Sequence, residues 1–208
     1  ISDATTTTRF TIDGTEFTRE IFVSASDQVI VIRLSASKKN ALNFVVNAGS
    51  LLHFKNSSSG NNEMILKGKA PAHVDPSYYN VHADPVIYED ASRCNSMRFQ
   101  IRIKAVTKDG TVITDTAGIH VNNASEVILF LSAATSFNGF DKCPDKNGKD
   151  ENKLATQYLQ NAIKKPFATL LKKHLADFHK YFNRVSFNLK DTAANNNAAL
   201  PSDKRLLA

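Results

Sequence analysis

The stretch SEVILFLSAATSFNGF, residues 125–140, decides how the rest of the chain is organised. Within it, residues 127–131 form an unbroken apolar run, with polar residues before it and Asn138-Gly139 after it. A run this short and apolar is typical of a strand buried on both faces, although its periodicity alone does not exclude a buried helix segment. The run also divides the chain, because alternating patterns precede it and helical patterns follow it.

The part before this run is predicted to be built of β-strands, because apolar or β-branched residues alternate with polar ones in short segments. Asp13-Gly14 and Asp109-Gly110 lie between such segments and indicate hairpins, since a type I′ turn needs positive φ at both central residues. The predicted strands are residues 5–12, 16–24, 28–34, 41–46, 63–69, 97–106, 111–114, 119–121 and the central run. This pattern predicts a mainly β fold, an antiparallel β-sandwich.

Residues 97–106, MRFQIRIKAV, are predicted to form a half-exposed antiparallel strand, because apolar and basic side chains alternate along it. The apolar face consists of Met97, Phe99, Ile101 and Ile103, and the exposed face of Arg98, Arg102 and Lys104. The polar segment 56–62, NSSSGNN, is predicted to be a loop.

The part after residue 140 is predicted to begin with a polar loop, residues 141–150, and then to form two α-helices. Apolar residues at helical spacing mark the first helix, and Pro166 suits the first turn of the second. The first stripe is Leu154, Tyr158, Leu159 and Ile163, and the second is Phe167, Leu170, Leu171, Leu175, Phe178, Phe182 and Val185. Residues 186–189 could be a returning strand, and 191–199 are typical of a linker. The predicted organisation is a β-sandwich over 1–140, a helical segment packed on it over 141–190, and a flexible tail over 191–208.

A long segment without a clean period, residues 70–90, is predicted to be an irregular loop that binds or docks. Three prolines stiffen it, and its candidate contact residues are His73, Asp75, Tyr78, Tyr79, His82 and Tyr88. His73, Asp75, His82 and Asp84 have metal-ligating side chains, but without a strict spacing the default is hydrogen bonding to the backbone. No metal site and no cofactor are therefore predicted.

Catalytic signatures are missing from the sequence. It contains no Gly-x-Ser-x-Gly, no phosphate loop and no dinucleotide fingerprint. His174 and His179 are five residues apart, whereas a metal pair on one helix face needs three or four, so they are interpreted as surface or packing histidines. Glu89 and Asp90 are adjacent carboxylates of a kind that any such loop supplies by chance. No catalytic residue is predicted.

Charge and cysteine content limit the partners. Residues 1–140 hold 13 basic and 13 acidic residues, while residues 141–208 hold 13 and 7, which accounts for the net charge of +6. No aromatic residues interleave with the lysines as a nucleic-acid surface would require, so solvated helix faces explain the excess. No apolar stretch approaches the length of a membrane span. Cys94 and Cys143 could form one bridge or remain two thiols.

Six segments, taken together and in order, resemble the N-terminal region of glycoside hydrolase family 95, whose best-known members are 1,2-α-L-fucosidases. They are residues 18–36, 66–80, 97–106, 126–141, 174–189 and 200–206, the last reading LPSDKRL where the family has LPTDERL. The resemblance implies a β-super-sandwich joined by helical linker segments to an (α/α)6 barrel that carries out inverting hydrolysis. It implies that this chain starts within the super-sandwich and stops before the barrel, so no catalytic residue can be carried over.

Two functions are therefore considered. The first is a noncatalytic N-terminal fragment of a fucosidase-like or α-galactosidase-like hydrolase, secreted or periplasmic, whose partner is the catalytic helical barrel of the same parent chain, with oligosaccharide as a further ligand. The alternative is a free-standing carbohydrate-binding or adhesive β-sandwich, which the absence of Trp disfavours. Neither hypothesis involves nucleic acid or a membrane.

Overall fold

A seven-stranded antiparallel sheet forms the middle layer of the computed structural model, which describes residues 2–79, 83–90, 94–187 and 200–205. In chain order the strands are β1 (Thr5–Ile12), β2 (Thr15–Ser24), β3 (Val29–Ala36), β4 (Leu42–Val46), β5 (His53–Ser58), β6 (Glu63–Lys69), β7 (His73–Val74), β8 (Val86–Ile87), β9 (Arg98–Thr107), β10 (Thr111–Thr114), β11 (Ile119–Ala124) and β12 (Glu126–Thr135). The large sheet has the order β1-β2-β3-β12-β9-β6-β5. A small sheet, β10-β11-β4, packs on one of its faces, and β7 pairs with β8 alone.

Strand β12 carries the apolar run and lies at the centre of the large sheet, between β3 and β9. Val127 and Leu129 belong to the core between the two sheets, whereas Phe130 belongs to a second core on the opposite face. The prediction of a strand buried on both faces is therefore confirmed. The predicted β-sandwich followed by helices is confirmed with it.

The core between the sheets is apolar and draws on strands from both of them. Met64, Ile103 and Leu129 come from the large sheet, and Leu42 and Ile119 come from the small one. All five side chains are buried. At about 25 cal/mol per Å² of apolar surface removed from water, a core of this kind is the main source of folding free energy.

Helices α1 (Glu151–Ile163) and α2 (Phe167–Phe182) cover the other face of the large sheet, and a single turn, α3 (Ser202–Arg205), follows later. Asp150 caps α1 by accepting a hydrogen bond from the Lys153 N–H, which satisfies a donor that the first helical turn leaves unpaired. Leu159 and Leu170 are fully buried against Phe22 and Phe130 of the sheet. The predicted apolar stripes thus define the buried sides of both helices.

The ends of α2 differ in detail from the prediction. Pro166 precedes the first helical residue as the N-cap, where its missing N–H still costs nothing. The helix ends at Phe182, so the prediction that Val185 continues the stripe is wrong, and its side chain is 81% exposed. Residues 186 and 187 are not in a strand, and the rest of the predicted returning strand and the linker lie outside the described residues.

Of the two hairpins predicted at Asp-Gly, the one at Asp13-Gly14 joins the paired strands β1 and β2, whereas the prediction of a hairpin at Asp109-Gly110 is wrong, because β9 and β10 lie in different sheets. Asp13 and Gly14 have φ of 49° and 66°, as a type I′ turn requires. At the second turn only Gly110 is positive, at 73°, and a Cβ there would lie 2.5 Å from the Asn122 carbonyl oxygen. This second turn therefore depends on glycine for both conformation and space.

Strand β5 corrects the predicted loop at 56–62, because residues 56–58 belong to the strand. Its sequence, HFKNSS, is polar, and β5 lies at the edge of the large sheet, where among the described residues it pairs with β6 alone. The side chains on both faces of β5 are exposed or half-buried, so the strand lacks the apolar alternation on which the prediction depended.

Candidate functional site

In the predicted docking loop, residues 70–90, the described residues 70–79 and 83–90 fold back on each other as a narrow ribbon. His73 and Val74 of β7 pair with Ile87 and Val86 of β8. Backbone hydrogen bonds extend the pairing, from Ala72 N to Ile87 O at 2.6 Å and beyond the other end of β7. The segment is thus irregular in sequence but partly ordered by its own hydrogen bonds.

Tyr88 and Glu89 anchor the base of this ribbon to the edge of the large sheet. The Tyr88 ring stacks on the His53 imidazole with a centroid distance of 3.5 Å and an interplanar angle of 5°. The His53 backbone N–H donates to the Tyr88 hydroxyl oxygen at 3.3 Å, and the Lys69 ammonium pairs with the Glu89 carboxylate at 2.5 Å. Tyr88 and Glu89 therefore attach the ribbon to the edge of the large sheet.

His73 and Asp75 form a pair, with 2.7 Å between His73 Nε2 and Asp75 Oδ1. The Asp75 side chain is only 3% exposed, whereas that of His73 is 46% exposed. His82 lies outside the described residues. In the described part of the chain no three His, Cys, Asp or Glu side chains converge as a metal site would need.

Tyr78 and Tyr79 form the outer part of the ribbon. Tyr79 N donates to the Pro76 carbonyl oxygen at 2.8 Å, which closes a turn over the intervening residues. The turn leaves the Tyr78 side chain 85% exposed and that of Tyr79 45% exposed. Among the predicted contact residues that the structure describes, these two present the most aromatic surface to a partner.

Cys94 and Cys143 form a disulfide, and their Cα atoms are 5.5 Å apart. The sequence had left open whether these two cysteines form a bridge or remain thiols. The disulfide joins the segment that follows the ribbon to the loop that precedes α1. Arg98 strengthens the same junction, because its guanidinium donates to the Glu151 carboxylate at 3.1 Å and contacts Asp145 Oδ1 at 3.3 Å. The entry to α1 is thus held to the sheet both covalently and by charge.

The basic face of β9 corrects the prediction of a half-exposed strand. Arg102 is only 9% exposed and pairs with the Glu63 carboxylate of β6. Its Nη2 also donates to Asn152 Oδ1 at 2.9 Å, and Gln100 Nε2 donates to the same oxygen at 3.2 Å. The basic residues were predicted to be exposed to solvent, because the sequence does not show that α1 and Glu63 cover this face of the strand.

Asp27 is a second buried charge that the sequence did not single out. Its side chain is 1% exposed, and it accepts hydrogen bonds from Ser24 Oγ at 3.0 Å, from Lys165 Nζ and from Lys173 Nζ at 3.3 Å. Burial raises the pKa of the Asp27 carboxyl, but the hydrogen bonds from Lys165, Ser24 and Lys173 outweigh burial and hold the pKa below its ordinary value. The carboxylate therefore joins the β2–β3 turn to α2, through Lys173, and to the connection between α1 and α2, through Lys165.

The chemistry available to these carboxylates is limited by their partners. The general acid of a glycosidase must hold a proton near neutral pH, which requires a raised pKa. Asp27 has the opposite shift, and Glu63 contacts two cations, those of Arg102 and Lys104. Both groups are suited to binding helices and strands together.

His174 and His179 pack against the start of the chain, as the interpretation of packing histidines requires. The His174 ring is 6% exposed, stacks on Phe22, and has its Nε2 atom 3.1 Å from the Asp3 carbonyl oxygen. His179 Nε2 lies 2.9 Å from the Ser2 carbonyl oxygen. Both histidines face backbone oxygens.

Comparison with known proteins gives three results. The model of the glycosyl hydrolase family 65 N-terminal domain matches residues 1–139. Alpha-L-fucosidase 2 of Arabidopsis thaliana is 26% identical over 194 residues, which are 89% of this chain and 22% of that protein. A solved structure described as a kojibiose phosphorylase from the human microbiome has a TM-score of 0.48 and 13% identity, over 86% of this chain and 23% of its own.

The lengths of these matches determine which family the chain can be assigned to. The chain spans about a fifth of the length of the curated relative. The match to the domain model covers both sheets up to the end of β12 and stops before α1. The predicted resemblance is confirmed at the level of a glycoside hydrolase N-terminal domain. The chain belongs to the family of glycosyl hydrolase family 65 N-terminal domains.

Proposed function

We propose that this chain is the noncatalytic N-terminal β-sandwich of a glycoside hydrolase of the α-L-fucosidase type, as in glycoside hydrolase family 95. The observation that carries the proposal is the match of residues 1–139 to a hydrolase N-terminal domain. The finer assignment to fucosidases is supported by 26% identity to Alpha-L-fucosidase 2 over 194 residues.

The noncatalytic role is supported by how the buried carboxylates are used. Glu63 and Asp27 each bind two cationic side chains, and these contacts connect strands to strands or to helices. Neither carboxylate is placed to protonate a leaving group. In this proposal the hydrolytic groups belong to a helical barrel in the same parent polypeptide.

The ribbon at 70–90 is proposed as the docking element for that barrel. Tyr88 and Glu89 fix its base to the sheet, while Tyr78 and Tyr79 remain exposed at its outer turn. Tyrosine suits an interface, because its ring buries apolar surface and its hydroxyl keeps a polar partner. An oligosaccharide that reaches the rim of the catalytic site would meet the same side chains.

The parent protein is proposed to be secreted or periplasmic. The supporting feature is the Cys94–Cys143 disulfide, since such bonds persist in oxidising compartments. No helix among the described residues is both long and apolar enough to cross a bilayer. No contact with nucleic acid is proposed.

The test is an assay of the purified 208-residue chain and of its parent polypeptide on α-L-fucosides and α-galactosides. The parent is expected to release free sugar and the chain none. Sugar release by the chain that persists after repurification would contradict the noncatalytic role. Saturable binding of fucosylated oligosaccharides to the chain alone, lost in Tyr78→Ala, would favour the free-standing binding module instead.

A further inference from the structure

The small sheet ends abruptly at β4. In the order β10-β11-β4, one edge of β4 pairs with β11, and among the described residues no strand pairs with the other. A strand edge of this kind presents a row of backbone N–H and C=O groups, which need partners once they are removed from water. The open edge is therefore a template for one more strand.

An apolar groove lies beside that edge, at the level where the small sheet would continue. Its floor includes Phe10 of β1, Phe17 of β2 and Leu34 of β3, and its side includes Phe44 of β4. The Phe10 and Phe17 rings stack with centroids 5.3 Å apart. The groove has a volume of about 380 Å³.

The uncovered surface continues along the same face of the large sheet. Strand pairing places Val23 opposite Ile30, on the side of the sheet that carries Phe17 and Leu34. Val23 is 60% exposed and Ile30 37%, and Ile12 on β1 is 56% exposed. Seven strands thus face only three, and the uncovered apolar residues Ile12, Val23 and Ile30 belong to β1, β2 and the start of β3.

We propose that a further β-strand pairs with the free edge of β4 and covers this groove, and that it comes from a part of the parent polypeptide outside these 208 residues. This proposal rests on the proposed function, and it specifies the edge of β4 as the place where another part of the parent polypeptide joins the sandwich. A strand fits because the site offers edge hydrogen bonds above an apolar floor, so its inward residues would be apolar at every second position. The stretch matched to the fucosidase relative is 22% of that protein, so a polypeptide of this kind has other segments to supply it.

The first test is hydrogen exchange on the 208-residue chain and on the parent polypeptide. The β4 amides that point away from β11 are expected to exchange fast in the chain and roughly 100-fold more slowly in the parent, because a paired edge opens only with its sheet. The edge of β10, at the other side of the small sheet, is the internal reference. Equal exchange of the β4 amides in both proteins would overturn the inference.

The second test compares Ile12→Asp with Ile113→Asp, which replace side chains that are 56% and 60% exposed on β1 and β10. In the parent, Ile12→Asp should lower the melting temperature clearly more than Ile113→Asp, whereas the two should be alike in the isolated chain. Equal effects in the parent would contradict a covered groove.

A second copy of this chain is the other strand donor to be tested, and light scattering on the isolated chain would detect it as a dimer. A monomer supports a strand from the parent, whereas a dimer that protects the β4 amides would overturn that source in favour of a second copy. These outcomes are separate from the proposed function. Sugar release by a parent whose β4 edge is unprotected would preserve the hydrolase assignment and remove only this inference.

Discussion

The two faces of the large sheet are buried by different means. Toward the small sheet the core is built from apolar side chains such as Met64 and Leu129. Toward the helices, the apolar cluster around Leu159 and Leu170 lies between two groups of charges, one centred on Asp27 and the other on the Glu63–Arg102 pair. We infer that apolar packing supplies most of the stability, while the charges determine where the helices lie on the sheet, because buried ion pairs contribute little net stability.

The largest expected effect tests the charged face. Glu63→Ala leaves the buried Arg102 without its carboxylate, which should lower the free energy of unfolding by about 3–5 kcal/mol. Urea denaturation would measure it. The control is the double variant Glu63→Leu/Arg102→Met, expected to be near wild type in stability. A double variant as unstable as the single one would mean that the ion pair itself stabilises the fold.

On the apolar face, no second substitution is expected to restore the stability that a truncated side chain loses. Leu129 is 5% exposed in the core between the sheets, so Leu129→Ala should lower the free energy of unfolding by about 2–5 kcal/mol through lost burial and a cavity. Leu51→Ala, at a fully exposed position, is the matched control and should leave the urea midpoint unchanged. Equal midpoints for the two variants would place Leu129 outside the core.

The disulfide belongs to the helix-covered face, and its loss should affect that face first. Cys94→Ser/Cys143→Ser opens a link between positions 49 residues apart, which typically costs about 2–4 kcal/mol. Hydrogen exchange should increase in the first turn of α1 more than in β11, because only noncovalent contacts, such as those of Arg98 with Asp145 and Glu151, then hold the entry to α1 among the described residues. Uniform loss of protection across both sheets would contradict this separation of the faces.

The smallest effect concerns pH. The folded pKa of Asp27 lies below its ordinary value, so the stability from its lysine contacts is fully present above about pH 4 and is lost as the pH falls through the folded pKa. The Asp27→Asn variant should therefore show a smaller drop in melting temperature between pH 5 and the acid range, on the order of a few degrees less. Parallel pH profiles for the variant and the wild type would remove Asp27 from the acid response.

What the sequence predicts well is what local pattern determines. The run at residues 127–131, the turn at Asp13-Gly14 and the stripes of α1 and α2 were all predicted from period and turn chemistry. Strand β5 was missed, because both of its faces are exposed or half-buried and its sequence therefore shows no apolar alternation. Val185 was placed in the stripe because periodicity does not show where a helix ends.

The candidate site was harder to predict, because its contacts join residues far apart in sequence. Arg102 looks like a surface residue until α1 covers it, and Asp27 looks like an ordinary turn residue until Lys165 and Lys173 reach it. The cysteine pairing was left open for the same reason. The ribbon was located by its composition, but the stacking of Tyr88 on His53 was not foreseeable from either residue.

The position of β12 affects how the chain folds while it is being synthesised. It is the last strand among the described residues and yet the middle strand of the large sheet, so Arg33 and its ion-pair partner Glu126 are 93 positions apart. On the ribosome, β1–β3 and the β6–β9 half can each form pairs early, but the strand that pairs with both β3 and β9 within the large sheet is β12, which emerges after them. Contacts of such long range make folding slow, and until then both halves expose the edges that β12 will cover. The nascent chain is therefore most prone to aggregate just before its central strand is complete.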